Sequence, residues 1–283
     1  MVKMPFFDFI PRGNVVAELN FFQAPSDGSP AENVIVAQGL PKTNYADDTK
    51  RILIRDLRGR ESDVTLEHDG VAIVQGVAPS AEVDFVDDDS ICAKYYPELR
   101  DLILSTVPGS HTVFFFDHTI RRATPDAARN PVTRAHIDQT ATSVIQRINK
   151  HLAEDAEKLL MGRYRLINVW RTLNSGPVES YPLAFALSPS VQDEDIVPIH
   201  HRYPDGYTGQ TAGIKFSGGQ QWHYVSGMRP DERLLLQCFD GQGLNAEGPR
   251  GARLAHAAFK DDRSRPDAPA RESIEVRALV FGP

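Results

Sequence analysis

His136-Ile-Asp138 is the one His-x-Asp in the chain. In extended backbone, residues i and i+2 project to the same side, so this imidazole and this carboxylate can reach a single ion. With nine His and 38 acidic residues among 283, about one His-x-acid pair arises by chance, and the pair alone carries little weight. A third donor strengthens it. His256 sits in the apolar run Leu254-Ala-His-Ala-Ala-Phe259, where an unpaired imidazole is costly to bury. Two imidazoles and one carboxylate on one side of a metal leave its other positions open. Ferrous oxygenases use that arrangement, zinc hydrolases use the same ligands, and the three residues do not separate the two metals.

Further along, Arg271-Glu-Ser273 opens a strand-like segment on which Arg271 and Ser273 share a face. A guanidinium fork beside a hydroxyl suits one end of a dicarboxylate, because Arg pairs a carboxylate through two parallel hydrogen bonds. Arg277 falls on the same face and competes for that role, and Arg60-Glu-Ser62 repeats the motif elsewhere. Asn168 and Trp170 alternate onto one face of another candidate strand and are read as pocket lining. Arg121 and Arg122 are candidates for a substrate carboxylate, and Tyr224 for a hydrogen bond to substrate. His118, His200, His201 and His223 have no ordered partner in the sequence and are read as structural or exposed. Gly241-Gln-Gly243 lacks the strand and helix of a dinucleotide loop, and no Gly-x-Ser-x-Gly elbow occurs.

The elements that must carry these residues are mostly short strands. Val15 to Phe22, Arg51 to Leu57, Val71 to Gln75 and Val113 to Phe116 read as strands, the last one buried. Ala24 to Pro41 reads as an irregular arm, and Asp84 to Asp89 as a solvated acidic loop without the glycine of a calcium site. Tyr95 to Ser105 reads as a helix, and Thr140 to Leu160 as one long amphipathic helix. Strands are then expected at Tyr164 to Trp170, Leu183 to Leu187, Gly213 to Ser217, Gln221 to Ser226, Leu234 to Phe239, Arg253 to Phe259 and Ile274 to Phe281. Many short strands around few helices imply a mainly β fold with flanking helices, a barrel or jelly roll.

Composition sets the outer bounds. Apolar residues make up 41% and charged residues 24%, enough for one sizeable core, and a single domain over residues 1–283 is expected, residues 1–60 forming an arm and strands packed on it. A net charge of -7 and the lack of a basic stripe speak against nucleic acid. No apolar run approaches the ~20 residues of a membrane span, and Pro5, Asp8, Pro11 and Arg12 interrupt any signal-peptide core. Cys92 and Cys238 are too few for a disulfide scaffold. A soluble cytoplasmic protein with a small-molecule substrate is the expectation; oligomeric state is not encoded in any of these features.

The order His-x-Asp, distant His, Arg-x-Ser resembles the Fe(II)/2-oxoglutarate-dependent oxygenases. The words around it narrow the likeness: Tyr95-Tyr-Pro-Glu98, Phe116-Asp-His-Thr119, His136-Ile-Asp-Gln-Thr140, Asn168-Val-Trp-Arg171, Tyr181-Pro-Leu183, Pro230-Asp-Glu232, His256-Ala-Ala-Phe259 and Arg271-Glu-Ser-Ile-Glu-Val-Arg277. Together they are similar to the fungal and bacterial hydroxylase/desaturase family of secondary metabolism, the aspergillic acid and cephamycin hydroxylase type. The resemblance covers most of the chain and implies a double-stranded β-helix of cupin-like form. It assigns the metal to His136, Asp138 and His256, the 2-oxoglutarate carboxylate to Arg271 with Ser273 assisting, and O2 as oxidant. Many members carry Thr where Ala257 stands, a departure beside the ligand rather than in it. The implied reaction oxidises a C–H bond of a secondary-metabolite or amino-acid-derived substrate, by hydroxylation, desaturation or ring closure. The alternatives are an iron oxidase that needs no 2-oxoglutarate, with Arg271 and Ser273 gripping the substrate, and a non-catalytic jelly roll whose histidines are structural.

Overall fold

The computed structural model describes residues 10–36, 42–124, 126–244 and 251–283. The segment 1–9, with Pro5 and Asp8, and the end of the expected arm, 37–41, lie outside the described residues. The strands in chain order are β1 (Val15–Gln23), β2 (Glu32–Val34), β3 (Lys42–Thr43), β4 (Ala46–Asp56), β5 (Val71–Val74), β6 (Thr112–Arg122), β7 (His136–Ile137) and β8 (Arg163–Thr172). There follow β9 (Leu183–Ala186), β10 (Ile196–Arg202), β11 (Thr208–Ile214), β12 (Trp222–Tyr224), β13 (Arg233–Asp240), β14 (Ala255–Ala258) and β15 (Glu272–Gly282). A ten-stranded sheet runs β1-β4-β12-β9-β14-β7-β11-β10-β2-β3, and a five-stranded sheet runs β5-β13-β8-β15-β6.

The small sheet shows how period-two patterning sorts side chains. On β8 and β15, Ile167, Val169, Ile274, Val276, Ala278 and Val280 turn outward and pack with Leu99 and Ile103 of the helix Tyr96–Thr106. The opposite face turns inward, where Leu166, Trp170, Leu279 and Phe281 join the core shared with the large sheet, whose members include Phe185, Ala184 and Trp222. Arg271, Ser273, Glu275 and Arg277 alternate onto that inward face, the first three buried and Arg277 half-buried. Burying a row of polar groups costs free energy unless each finds a partner. This row is therefore where chemistry is to be sought.

Several expectations are corrected. The long helix over Thr140 to Leu160 is two helices, Ala141–His151 and Ala156–Met161. Thr140 and Ser143 form a capping box at the start, but no bulky apolar residue falls between Leu152 and Leu159, and the chain turns with Asp155 N–H donating to Leu152 O. The strand expected at Gly213 to Ser217 is β11, Thr208–Ile214, paired with β10, which was not expected because Pro198 sits inside it. β6 extends to Arg122 and is mostly half-buried, as suits a sheet edge. The arm contains β2, which pairs in parallel with β10. The acidic run is partly structural: Asp87 caps a short helix, and Asp88 bonds His118.

Candidate active site

β7 lies between β14 and β11, and the register sets His136 directly opposite His256. Their ring centroids are 4.5 Å apart. Asp138 follows at the end of β7, and one donor atom from each of the three residues lies within 4.8 Å of the others. The His136 Nδ1–H donates to Arg134 O at 2.8 Å, and the His256 Nδ1–H is directed at Leu254 O at 3.4 Å. A carbonyl only accepts, so each ring is anchored through Nδ1 and turns Nε2 toward the other donors. His136 Nε2 stands 3.3 Å from Asp138 Oδ1, close enough for one ion to be shared between the two. Imidazoles anchored through Nδ1 are how metal-binding histidines are oriented.

The second oxygen of Asp138 is spent inside the protein. Asn168 Nδ2 donates to Oδ2 at 2.7 Å and Arg277 Nε at 2.8 Å. Burial alone would raise the Asp138 carboxyl, but Arg277 and the two histidines outweigh it and hold it well below the usual carboxylate range. Burial and the neighbouring His136 push His256 down to about 3, which keeps it a neutral ligand-type imidazole. The donor set, two imidazoles and one carboxylate, suits a divalent first-row metal.

His136 and His256 open onto a narrow cleft lined in part by Thr119, Arg121, Trp170, Leu183, Arg271 and Glu275. Arg271 is 2% exposed, donates Nη1 to Tyr181 O at 2.8 Å, and leaves Nε without a partner. Its guanidinium lies 5.7 Å from the Trp170 ring centroid. Burial, with the cation of Arg121 beside it, pushes Arg271 down to about 9. It remains protonated at neutral pH, short of counter-charge. A buried fork in that condition fits an incoming carboxylate. Tyr181, whose carbonyl holds it, is one of two non-glycine residues among those described with positive φ, at 46°, and strain of that kind clusters at functional positions.

The structure brings His136, Asp138, His256, Arg271, Arg121 and Trp170 together around this cleft. Ser273 is buried on the same strand face as Arg271. Asn168 is at the site but bonds the ligand-type carboxylate instead of lining the cleft. Arg277 commits its nitrogens to Asp138, Asp117, Thr119 and Glu275, so it has no free fork for a dicarboxylate. Arg122 points away from Arg121 and pairs with Glu272 at 2.8 Å near the surface, because consecutive residues of a strand face opposite sides. Tyr224 is not part of the cleft: its hydroxyl donates to Gly13 O at 2.7 Å and accepts from Arg263 at 3.0 Å. His201 is held by Asn33 and Thr211, and His118 by Tyr96 and Asp88. Glu275 and Thr119 were missed, although each alternates with a residue already singled out, Glu275 with Ser273 and Thr119 with Arg121.

Comparison with known proteins points the same way. A family model described as an oxidoreductase/YMDC permease-like domain matches residues 19–281. No helix among the described residues is long and apolar enough to cross a membrane. A hydroxylase/desaturase, poxK of Penicillium oxalicum, is 35% identical over 96% of this chain and 92% of its own. An alpha-ketoglutarate-dependent dioxygenase, phiK of a fungal species, is 33% identical over 95% of this chain and 96% of its own. Among solved structures, the iron and alpha-ketoglutarate-dependent endoperoxidase NvfI superposes with a TM-score of 0.85 at 26% identity, covering 96% of this chain and 99% of that one.

Proposed function

The chain belongs to the hydroxylase/desaturase family of Fe(II)/2-oxoglutarate-dependent oxygenases, and from that premise we propose that His136, Asp138 and His256 hold its iron while Arg271, flanked by Ser273, receives the distal carboxylate of 2-oxoglutarate. Its fold is the double-stranded β-helix of NvfI, and its cofactors are Fe(II), 2-oxoglutarate and O2. What carries the residue assignment is the meeting, in one cleft, of three metal-type donors with a buried arginine that has no carboxylate partner among the described residues.

When bound, iron with O2 and 2-oxoglutarate supplies an oxidant for an unactivated C–H bond, the co-substrate leaving as succinate and carbon dioxide. The protein's part is binding and aim. Arg271 takes the carboxylate in a dry setting where a charge-assisted pair is worth more than in water. Trp170, Leu183, Val132 and Ala258 give the cleft apolar walls that exclude water. Arg121, whose one described side-chain bond is to Asn130 O at 3.1 Å, is left to meet an acidic or carbonyl group of the substrate. A small metabolite bearing such a group, for instance an amino-acid or peptide-derived acid, fits this reading, with hydroxylation, desaturation or ring closure as outcome.

The apolar core spans both sheets, which supports one domain, and the free thiols Cys92 and Cys238 agree with a reducing, cytoplasmic setting. The deciding experiment is succinate release by anaerobically iron-loaded protein given O2 and 2-oxoglutarate, alone and with candidate acids. Fe(II)-dependent succinate is expected, and its absence in every case would sink the co-substrate assignment. Substrate affinity unchanged in Arg121→Ala would sink the role given to Arg121.

A further inference from the structure

Asp138 presents two unlike oxygens. Oδ1 faces His136 Nε2 at 3.3 Å. Oδ2 accepts from Asn168 at 2.7 Å and from Arg277 at 2.8 Å. Asn168 and Arg277 stand opposite one another in the β8–β15 register, so both donors reach Oδ2 from adjacent strands of one rigid sheet. Arg277 is itself fixed. Its Nη1 lies 3.2 Å from Asp117 Oδ1 and 3.2 Å from Thr119 Oγ1, and its Nη2 lies 2.5 Å from Glu275 Oε1. The β15–β6 pairing slips between Arg277 and Ala278, with Arg277 opposite Asp117 and Ala278 opposite Phe115. Phe116 is thus the extra residue of a bulge, a device that re-aims side chains beside functional sites.

We propose that Arg277, together with Asn168, is a positioning residue for iron: the pair occupies Oδ2 of Asp138 and leaves Oδ1 as the one oxygen turned to the metal. The inference rests on the metal assignment above and removes Arg277 from contention as the receptor of 2-oxoglutarate. A carboxylate whose second oxygen is tied down cannot swing to grip the ion with both, and it keeps its orientation when the metal is absent. Outer partners of this kind support affinity without touching the ion.

The test is anaerobic titration of the full chain with Fe(II) and, as a spectroscopic probe, Co(II), followed by steady-state kinetics at saturating Fe(II). Arg277→Met is expected to weaken metal binding about 10- to 100-fold and Asn168→Ala less, in the same direction. Arg277→Lys, which keeps one donor, should recover part of the loss. KM for 2-oxoglutarate at saturating Fe(II) should be unchanged in all three. If Arg277→Met does not fold, Arg277→Lys and Asn168→Ala decide by the same two readouts. Wild-type metal affinity in the folded variants overturns the inference, as does a raised KM for 2-oxoglutarate with metal affinity intact. Asp138→Ala and His256→Ala separate the two levels: if they also retain the metal, the ligand assignment itself has failed, whereas loss of metal in these alone refutes only the role of Arg277.

Discussion

Arg271 and Arg277 stand on the same inward face of one strand segment and live in opposite electrostatic circumstances. Arg277 is surrounded by Asp138, Asp117 and Glu275, which outweigh its burial and raise its pKa far above the usual value. Arg271 has a carbonyl, an aromatic ring and another cation for company, and the nearby Glu275 carboxyl makes no hydrogen bond to it and does not offset its burial. The first is a finished ion-pair network, whose counter-charges came with the fold. The second is a buried charge whose desolvation is not repaid by the protein, and such a charge costs several kcal/mol until an anion arrives. A strand of alternating polar residues thus carries structure at its Arg277 end and binding capacity at its Arg271 end.

The comparison breaks most severely if the Arg277 end is not a metal end at all. Replacing His256, 2% exposed, by Ala should lower Fe(II) affinity by more than the roughly 10- to 100-fold that an outer partner costs, with succinate formation falling to background. Metal analysis after anaerobic loading and desalting checks this. Retention of one equivalent of iron would leave the Arg277 network without its purpose.

The two arginines should also differ in the sign of their effect on stability. Arg277→Met leaves Asp138 and Glu275 as buried, uncompensated neighbours, and a loss of about 3–5 kcal/mol is expected, as for other broken buried ion pairs. Arg271→Met removes an unpaired cation and replaces it with a flexible apolar side chain, so unfolding free energy without co-substrate should be unchanged or higher by roughly 1–2 kcal/mol. Denaturant melts of both variants measure the contrast. Equal losses would show that Arg271 has a counter-charge in the folded chain.

With 2-oxoglutarate present the ranking changes. Arg271→Met forfeits a charge-assisted fork worth about 3 kcal/mol, hence roughly a 100-fold rise in KM for the co-substrate. It should also lose the upward shift in melting temperature that 2-oxoglutarate gives the wild-type protein by binding only the folded state. A KM within a few-fold of wild type would move the carboxylate site to Arg121, the other cation of the cleft.

Part of this contrast was legible in the sequence. Period-two alternation puts Arg271, Ser273 and Arg277 on one face, and His136 and Asp138 on one side of a strand. Glu275 obeys the same rule, and Arg122 fails it beside Arg121. Which arginine is already satisfied could not be read, because the partners of Arg277 come from other strands, Asp138 at a sequence separation of 139 and Asp117 at 160. Tyr224 was misplaced for a related reason: its hydroxyl is claimed by Gly13, 211 residues away. In the fold, Pro198 hid β10, and the helix break after His151 followed from the absence of a bulky apolar residue between Leu152 and Leu159, which a sum over the whole window conceals.

The smallest expected effect bears on how Arg271 is kept waiting. Its Nη1 is held by the carbonyl of Tyr181, whose φ of 46° is costly for a residue with a side chain. Gly at this position removes the steric penalty, a gain of about 1 kcal/mol, offset in part by the greater freedom of glycine in the unfolded chain. The carbonyl would then be less firmly aimed, and Arg271 less well preorganised for its anion. Tyr181→Gly should therefore melt at or slightly above the wild-type temperature while KM for 2-oxoglutarate rises a few-fold. Higher stability with unchanged KM would mean that the strain at Tyr181 serves the turn into β9 and not the waiting arginine. A fall in stability would mean that packing of the Tyr181 ring outweighs the strain of its backbone.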